Sequence, residues 1–251
     1  MIAIVTGASS GFGQEYVRQF DSRGYDEIWV IARREDRLNQ LKDEIKTPIR
    51  TIALDLSKQE SILKLAALLE SEKPQVHALV NASGFGYFDA FTEEPLDNAL
   101  NMIDLNDKAL ISLCYITVPY MGEGAEIYNI ASSSAFQPVP YIGVYAATKA
   151  FVLSFSRSLN QELKHLGIKV IAVCPHWTKT EFFDRADKKN GVITYYNFYT
   201  DKQQVVANSL KHLSHGKDVS ITSLPLKLQV MAASLLPKKL VMKIWLNSQK
   251  L

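Results

Sequence analysis

Seven short apolar runs punctuate this chain, and a helical pattern follows nearly every one. The runs fall at residues 2–6, 27–32, 49–54, 77–82, 125–130 and 169–174, with a weaker one at 218–222. Helical patterns occupy 12–21, 34–46, 58–71, 96–121, 145–165 and 201–213. Apolar strands separated by crossover helices imply a parallel sheet covered on both faces. The fold class predicted is therefore α/β, doubly wound and Rossmann-type, with a mainly parallel seven-stranded sheet and helices on both faces. No repeat or low-complexity linker divides the 251 residues, so 1–251 reads as a single domain. Two stretches escape the alternation: a loop at about 178–200 and a tail at about 224–251. Long irregular insertions in a compact domain tend to be functional loops.

Composition narrows the function classes. A net charge of +2, with basic residues scattered rather than striped, argues against a nucleic-acid partner. Cys114 and Cys174 lie far apart in apolar surroundings and read as buried thiols in a reducing compartment, which makes the expected location cytoplasmic. The apolar run at 2–5 passes straight into "TGASSGFG" without a basic leader, and no apolar run has the length of a membrane span.

The first predicted strand opens into that glycine-rich turn. Gly7, Gly11 and Gly13, with Ser9, Ser10 and Phe12 between them, let the backbone approach a pyrophosphate at the N-terminus of the next helix. Placed at a strand-to-helix turn of a doubly wound pattern, the loop marks a dinucleotide site. The second strand ends "IARRED", with Arg33 and Arg34 where an NAD-preferring site has an acid. A guanidinium pairs with a 2′-phosphate through charge-assisted bonds, so NADP(H) is the expected cofactor and NAD(H) the second choice.

One stretch carries the chemistry. In "SSSAFQPVPYIGVYAATKAF", residues 132–151, Tyr145 precedes Lys149 by four, so both share a helix face. No other tyrosine of the chain has a lysine four positions later.

Together these motifs resemble the short-chain dehydrogenase/reductase family, and the likeness runs from residue 2 to about residue 180. The loop matches that family's TGxxxGxG. Asp55 and Leu56 resemble its adenine-contacting pair, and Asn81, Ala82, Ser83 and Gly84 stand where it usually has NNAG. Asn106, Ser132, Tyr145 and Lys149 match its catalytic tetrad, with Ser133 and Ser134 as lesser alternatives to Ser132. The resemblance implies that Tyr145 exchanges a proton with the substrate oxygen while a nicotinamide exchanges hydride. It also implies that Lys149 holds the nicotinamide ribose, Asn106 anchors a relay water and Ser132 orients the carbonyl. A nearby ammonium is expected to lower the tyrosine's pKa. In "CPHWTKTEF", Pro175, Thr178 and Thr180 match nicotinamide-contacting positions, while His176 replaces the usual glycine. No spacing in the chain suggests a metal. His176 and Trp177 read as pocket wall.

Tyr195, Tyr196 and Phe198, following the nicotinamide threonine, are expected to contact substrate together with Ser132, His176 and Trp177. The expected function is an NADPH-dependent carbonyl reductase or alcohol dehydrogenase acting on an apolar, steroid-like or other cyclic ketone or secondary alcohol. The alternative is a non-catalytic dinucleotide sensor, which has no chemical need for the tyrosine–lysine pair. A homodimer or homotetramer is expected, and the lysine-bearing apolar tail reads as a helical cap over the pocket or part of a subunit contact rather than a peripheral membrane anchor.

Overall fold

The computed structural model describes residues 1–186 and 192–250. Its strands are β1 (Ile2–Thr6), β2 (Glu27–Ala32), β3 (Ile49–Ala53), β4 (Val76–Asn81), β5 (Met121–Ile130), β6 (Lys169–Val173) and β7 (Val219–Ser220). They form one sheet in the order β3-β2-β1-β4-β5-β6-β7, and every pairing is parallel. All five residues of β1 are buried because helices cover both faces. Alternate residues feed two cores: Ile4, Trp29, Leu79 and Ile127 pack on one side, Val5, Val30, Val80 and Tyr128 on the other. The first half of the chain builds the sheet outward from β1 to β3, and the second half restarts at β4 on the opposite flank. The carboxyl ends of β1 and β4 therefore diverge into a crevice, where such folds bind ligands.

The helices are α1 (Gly11–Phe20), α2 (Glu35–Glu44), α3 (Gln59–Glu72), α4 (Leu96–Ile103), α5 (Ala109–Thr117), α6 (Gly143–Glu162), α7 (Phe182–Ala186), α8 (Lys202–Ser214), α9 (Leu224–Leu235) and α10 (Lys238–Gln249). The continuous helix expected over 96–121 is broken twice. A π turn at Asp104–Lys108 separates α4 from α5, with Ala109 N–H bonding back to the Asp104 carbonyl. A 3₁₀ turn at Val118–Tyr120 then ends the helix, since Pro119 lacks an amide hydrogen. In consequence β5 starts at Met121 instead of residue 125. The last strand is shorter than 218–222, although Asp218 and Ser220 carbonyls still accept from Ala172 and Cys174 amides at 2.9 and 2.8 Å.

The two irregular stretches are tied down at their ends. Thr178 and Thr200 form an isolated bridge, with their hydroxyls 2.9 Å apart. Within the expected loop at 178–200, residues 187–191 lie outside the described residues. The tail is a pair of helices separated at Pro237. Trp245 Nε1 donates to the Pro140 carbonyl at 3.0 Å, and buried Gln249 accepts from the Thr194 and Tyr195 amides at 2.9 Å each. None of the described helices is long and apolar enough to cross a membrane.

Candidate active site

A cleft of about 670 Å³ opens at the carboxyl ends of the strands, within the usual range for small-molecule sites. Its floor is the β1–α1 loop. Gly7 adopts φ +66° and Gly11 φ +56°, left-handed backbone that favours glycine. Gly13 does not face the cleft; it presses against the loop from below, and a β-carbon there would stand 2.4 Å from the Gly7 carbonyl oxygen. Thr6 Oγ1 accepts from the Ala82 and Ser83 amides at 3.1 and 3.2 Å and donates to the Val80 carbonyl at 3.2 Å. That hydroxyl ties the ends of β1 and β4 together and sets the width of the floor. No side chain caps the first turn of α1, so its amides remain available to a ligand's oxygens.

Most residues expected to hold the cofactor line this one cleft: Gly7, Ser9, Ser10, Gly11, Phe12, Arg33, Arg34, Asp55, Leu56, Ala82, Ser83, Gly84, Tyr145, Lys149, Pro175, Thr178 and Thr180. Asn81 does not. Its amide is buried and donates to Asn129 Oδ1 at 2.8 Å, which makes it a brace between β4 and β5. Arg37, one helical turn beyond Arg34, also lines the cleft and was not foreseen. An uncapped helix start, a glycine floor and arginines at one end suit an extended dinucleotide.

At the other end stand Ser132, Tyr145 and Lys149, with Asn106 behind them. Ser132 caps the 3₁₀ turn Ser133–Phe136, its Oγ accepting from the Ser134 amide at 3.1 Å, and it hydrogen-bonds the Tyr145 hydroxyl. Ser133 is not available for that contact, because its hydroxyl lies 3.0 Å from His176 Nδ1. Ser134 faces the cleft with a buried hydroxyl that has no protein partner. Asn106 is fully engaged: Oδ1 accepts from the Phe85 amide at 3.1 Å, and Nδ2 donates to the Phe85 carbonyl at 2.9 Å and Thr148 Oγ1 at 3.1 Å. Thr148 in turn donates to the Tyr145 carbonyl at 2.8 Å. Asn106 thereby braces the helix that carries Tyr145.

The electrostatics differ from the expectation for Tyr145. Burial pushes its phenol up to about 12, and the Ser132 hydrogen bond only partly opposes this. Lys149 does not lower it. Its ammonium donates to the Ile130 carbonyl at 2.8 Å and sits 5.6 Å from the tyrosine ring centroid, over the face rather than at the hydroxyl. Lys149 is itself brought down to about 8, chiefly by burial, with Asp107 pulling the other way. Asp107, on the π turn, is raised to about 7 by burial and has a buried oxygen without a hydrogen-bond partner.

His176 and Trp177 line the cleft as expected for wall residues, and His176 needs no left-handed backbone. Both its ring nitrogens are engaged, with Ser133 on one side and Asn197 Oδ1 at 2.6 Å on the other. Tyr196 and Phe198 are not at the cleft surface. Phe198 backs His176 at 4.4 Å and Tyr196 backs Trp177 at 4.9 Å, while Tyr195 is half exposed to solvent. Phe182 and Phe183 line the cleft beside Trp177, and the sequence does not announce them because "TEFFDR" carries no periodic signal.

The fold and the site define a nicotinamide-dependent oxidoreductase. Residues 1–191 match the family described as short chain dehydrogenase, and the chain belongs to the short-chain dehydrogenase/reductase family. It is an NAD(P)-dependent enzyme of the CH–OH class. It is similar to sulfoacetaldehyde reductase 2 of Chromohalobacter salexigens, 33% identical over 72% of this chain and 74% of that protein. It is also similar to the very-long-chain 3-oxoacyl-CoA reductase of Mus musculus, 36% identical over 71% of this chain and 60% of the relative. Among solved structures, a Sphingobium yanoikuyae short-chain dehydrogenase in complex with NADPH superposes with a TM-score of 0.80 at 28% identity, covering 96% of this chain and 95% of that one.

Proposed function

We propose that the protein is an NADPH-dependent reductase of bulky, apolar carbonyl compounds. The observation that carries this reading is the joining of two sites in one cleft: a basic pocket of Arg33, Arg34 and Arg37 at one end, and Tyr145 walled by aromatics at the other. The two relatives act on compounds as unlike as sulfoacetaldehyde and very-long-chain acyl thioesters, so substrate class is argued from the wall. Phe182 lies 5.3 Å from the Tyr145 ring, Trp177 and Phe183 extend the apolar surface, and buried Phe88 packs against both of these from outside the cleft lining. Such a wall stabilises apolar substrate by about 25 cal/mol per Å² removed from water. The bound nicotinamide supplies the hydride.

Within this reading Ser132 hydrogen-bonds the substrate oxygen and Tyr145 gives it a proton. Lys149, held in place by the Ile130 carbonyl, would hold the cofactor's ribose beside Tyr145 and serve as the proton source that resets the phenol. A phenol held at about 12 is protonated at neutral pH, which suits reduction better than oxidation. The segment around Thr194–Tyr196 and helix α10 close over the aromatic wall as a lid, with Gln249 as the clasp.

The test is turnover of NADPH and NADH against steroid, aryl, aliphatic and sugar ketones. NADPH with the cyclic and aryl ketones is expected to be preferred. Replacing Arg34 and Arg37 together by alanine is expected to cost about 10- to 100-fold in NADPH affinity and little in NADH affinity. Preference of the parent enzyme for NADH would overturn the cofactor reading.

A second copy of the chain is the partner proposed. Leu96, Leu100, Ile103, Ile111 and Tyr115 leave large apolar side chains in solvent along α4 and α5, and Phe151 on α6 is exposed as well. Tyr115, 81% exposed, is the most accessible of the six. Tyr115→Glu combined with Leu100→Glu is expected to shift the protein toward monomer in light scattering; an unchanged mass would exclude this face as the interface.

A further inference from the structure

Arg34 and Arg37, at the start of α2, converge on one carboxylate. Arg34 Nη1 donates to Glu181 Oε2 at 2.7 Å, and Arg37 Nη1 donates to Glu181 Oε1 at 2.6 Å. Arg34 also donates through Nε and Nη2 to Ser9 Oγ, at 3.3 and 3.1 Å. Two guanidiniums close on a single anion, and a hydroxyl beside them holds one of the two; such a set suits a phosphate monoester. All four residues line the cleft.

Glu181 is also covalently placed between the two ends of that cleft. The residue before it, Thr180, packs beside Gly11 of the glycine loop. The residue after it, Phe182, starts α7 and sets its ring against Tyr145. Gly86 is what lets this packing close, since a β-carbon there would stand 2.8 Å from the Tyr145 ring and 3.0 Å from Phe182. The clamped carboxylate and the ring set against the tyrosine are thus adjacent residues, Glu181 and Phe182.

We propose that Glu181 is a stand-in for the cofactor's 2′-phosphate, and that its displacement is the step by which NADP(H) uncovers the catalytic tyrosine. The phosphate takes Arg34, Arg37 and Ser9. Glu181 then leaves the clamp, and Phe182 loses the anchor that holds it on Tyr145. NAD(H) has no group to exchange and leaves the strap in place. The exchange is accessible because both ion pairs are about two-fifths exposed, and pairs of that kind contribute little individually. A phosphate monoester carries close to two negative charges at neutral pH against one for the carboxylate, and so competes well for two guanidiniums. The inference rests on the NADP(H) reading above.

Calorimetric titration of the intact protein with NADPH, NADH and 2′,5′-ADP tests it. Glu181→Gln keeps the side chain's size and removes its charge. It is expected to tighten NADPH and 2′,5′-ADP by about 3- to 30-fold, the worth of two half-exposed ion pairs, while NADH changes by less than about twofold. Glu181→Asp, whose shorter arm reaches one guanidinium, is expected to fall between, and it serves if the glutamine variant folds poorly. The second readout is amide hydrogen exchange across 180–186. Binding of 2′,5′-ADP, which does not reach Tyr145, is expected to speed exchange there, and 5′-ADP is expected to leave it unchanged. If the parent prefers NADPH but neither Glu181 variant binds it more tightly, the stand-in is wrong and the cofactor reading survives. If the parent binds NADH as tightly as NADPH, the cofactor reading fails and the clamp fails with it. Tighter binding without any change in exchange at 180–186 overturns the uncovering step.

Discussion

Tyr145→Phe is expected to cut kcat for carbonyl reduction by about 10²- to 10⁴-fold while leaving NADPH affinity close to that of the parent, as loss of a positioned general acid does. The variant removes one hydroxyl and keeps the ring, so the contacts with Phe182 and with the Lys149 ammonium persist. The pH profile of the parent gives a second check. A phenol held at about 12 stays protonated across the working range and contributes no inflection. Lys149, brought down to about 8, is charged below that value and neutral above it. Reduction is therefore expected to hold steady through neutrality and to decline as pH passes about 8, where the ammonium that returns the proton is lost. A reduction rate that instead climbs through this window, or a phenylalanine variant as fast as the parent, would remove Tyr145 from the proton-donor role.

Gly13→Ala is expected to be the most damaging single methyl in the molecule. The added carbon would stand 2.4 Å from the Gly7 carbonyl oxygen and 2.7 Å from that of Thr6, and backbone atoms at the end of a buried strand have nowhere to go. Overpacking of this severity costs about 3 kcal/mol or more. At this chain length that is a fall in Tm of roughly 6–12 °C. The damage extends to binding, because relief requires the glycine floor to move. Differential scanning calorimetry and NADPH titration of the variant read the two effects separately. A Tm within about 2 °C of the parent would show that α1 can slide off the loop at little cost.

What the chain discloses without its structure is what depends on neighbours in sequence. The central strands are apolar end to end because both faces are covered, so 2–6 and 27–32 were readable to the residue. The glycine loop and the Tyr145–Lys149 spacing are likewise local. Other features depend on partners far away. Glu181 meets Arg34 across 147 positions, and neither segment hints at the other. The same holds for Thr6, whose hydroxyl looks like an ordinary strand residue until β4 is laid beside β1. The clustering of aromatics makes Tyr196 and Phe198 expected substrate contacts, but the cleft lining has Trp177 and His176, against which they pack. The expected lowering of the Tyr145 pKa gives way first to burial of the phenol, and helix spacing does not reveal that the Lys149 ammonium is drawn to the Ile130 carbonyl.

The π turn at Asp104–Lys108 sets two demands against each other. It holds one residue more than an α-helical turn, and from within it Asn106 bonds both Phe85 and Thr148. Removing a single residue from the turn would fuse α4 and α5 into one regular helix with its ordinary hydrogen-bond ladder restored. An engineer seeking heat resistance would find that deletion attractive, yet it would withdraw the brace behind Tyr145. A regular helix and the brace behind Tyr145 are competing demands at this turn, and selection for thermal tolerance alone is expected to erode the brace.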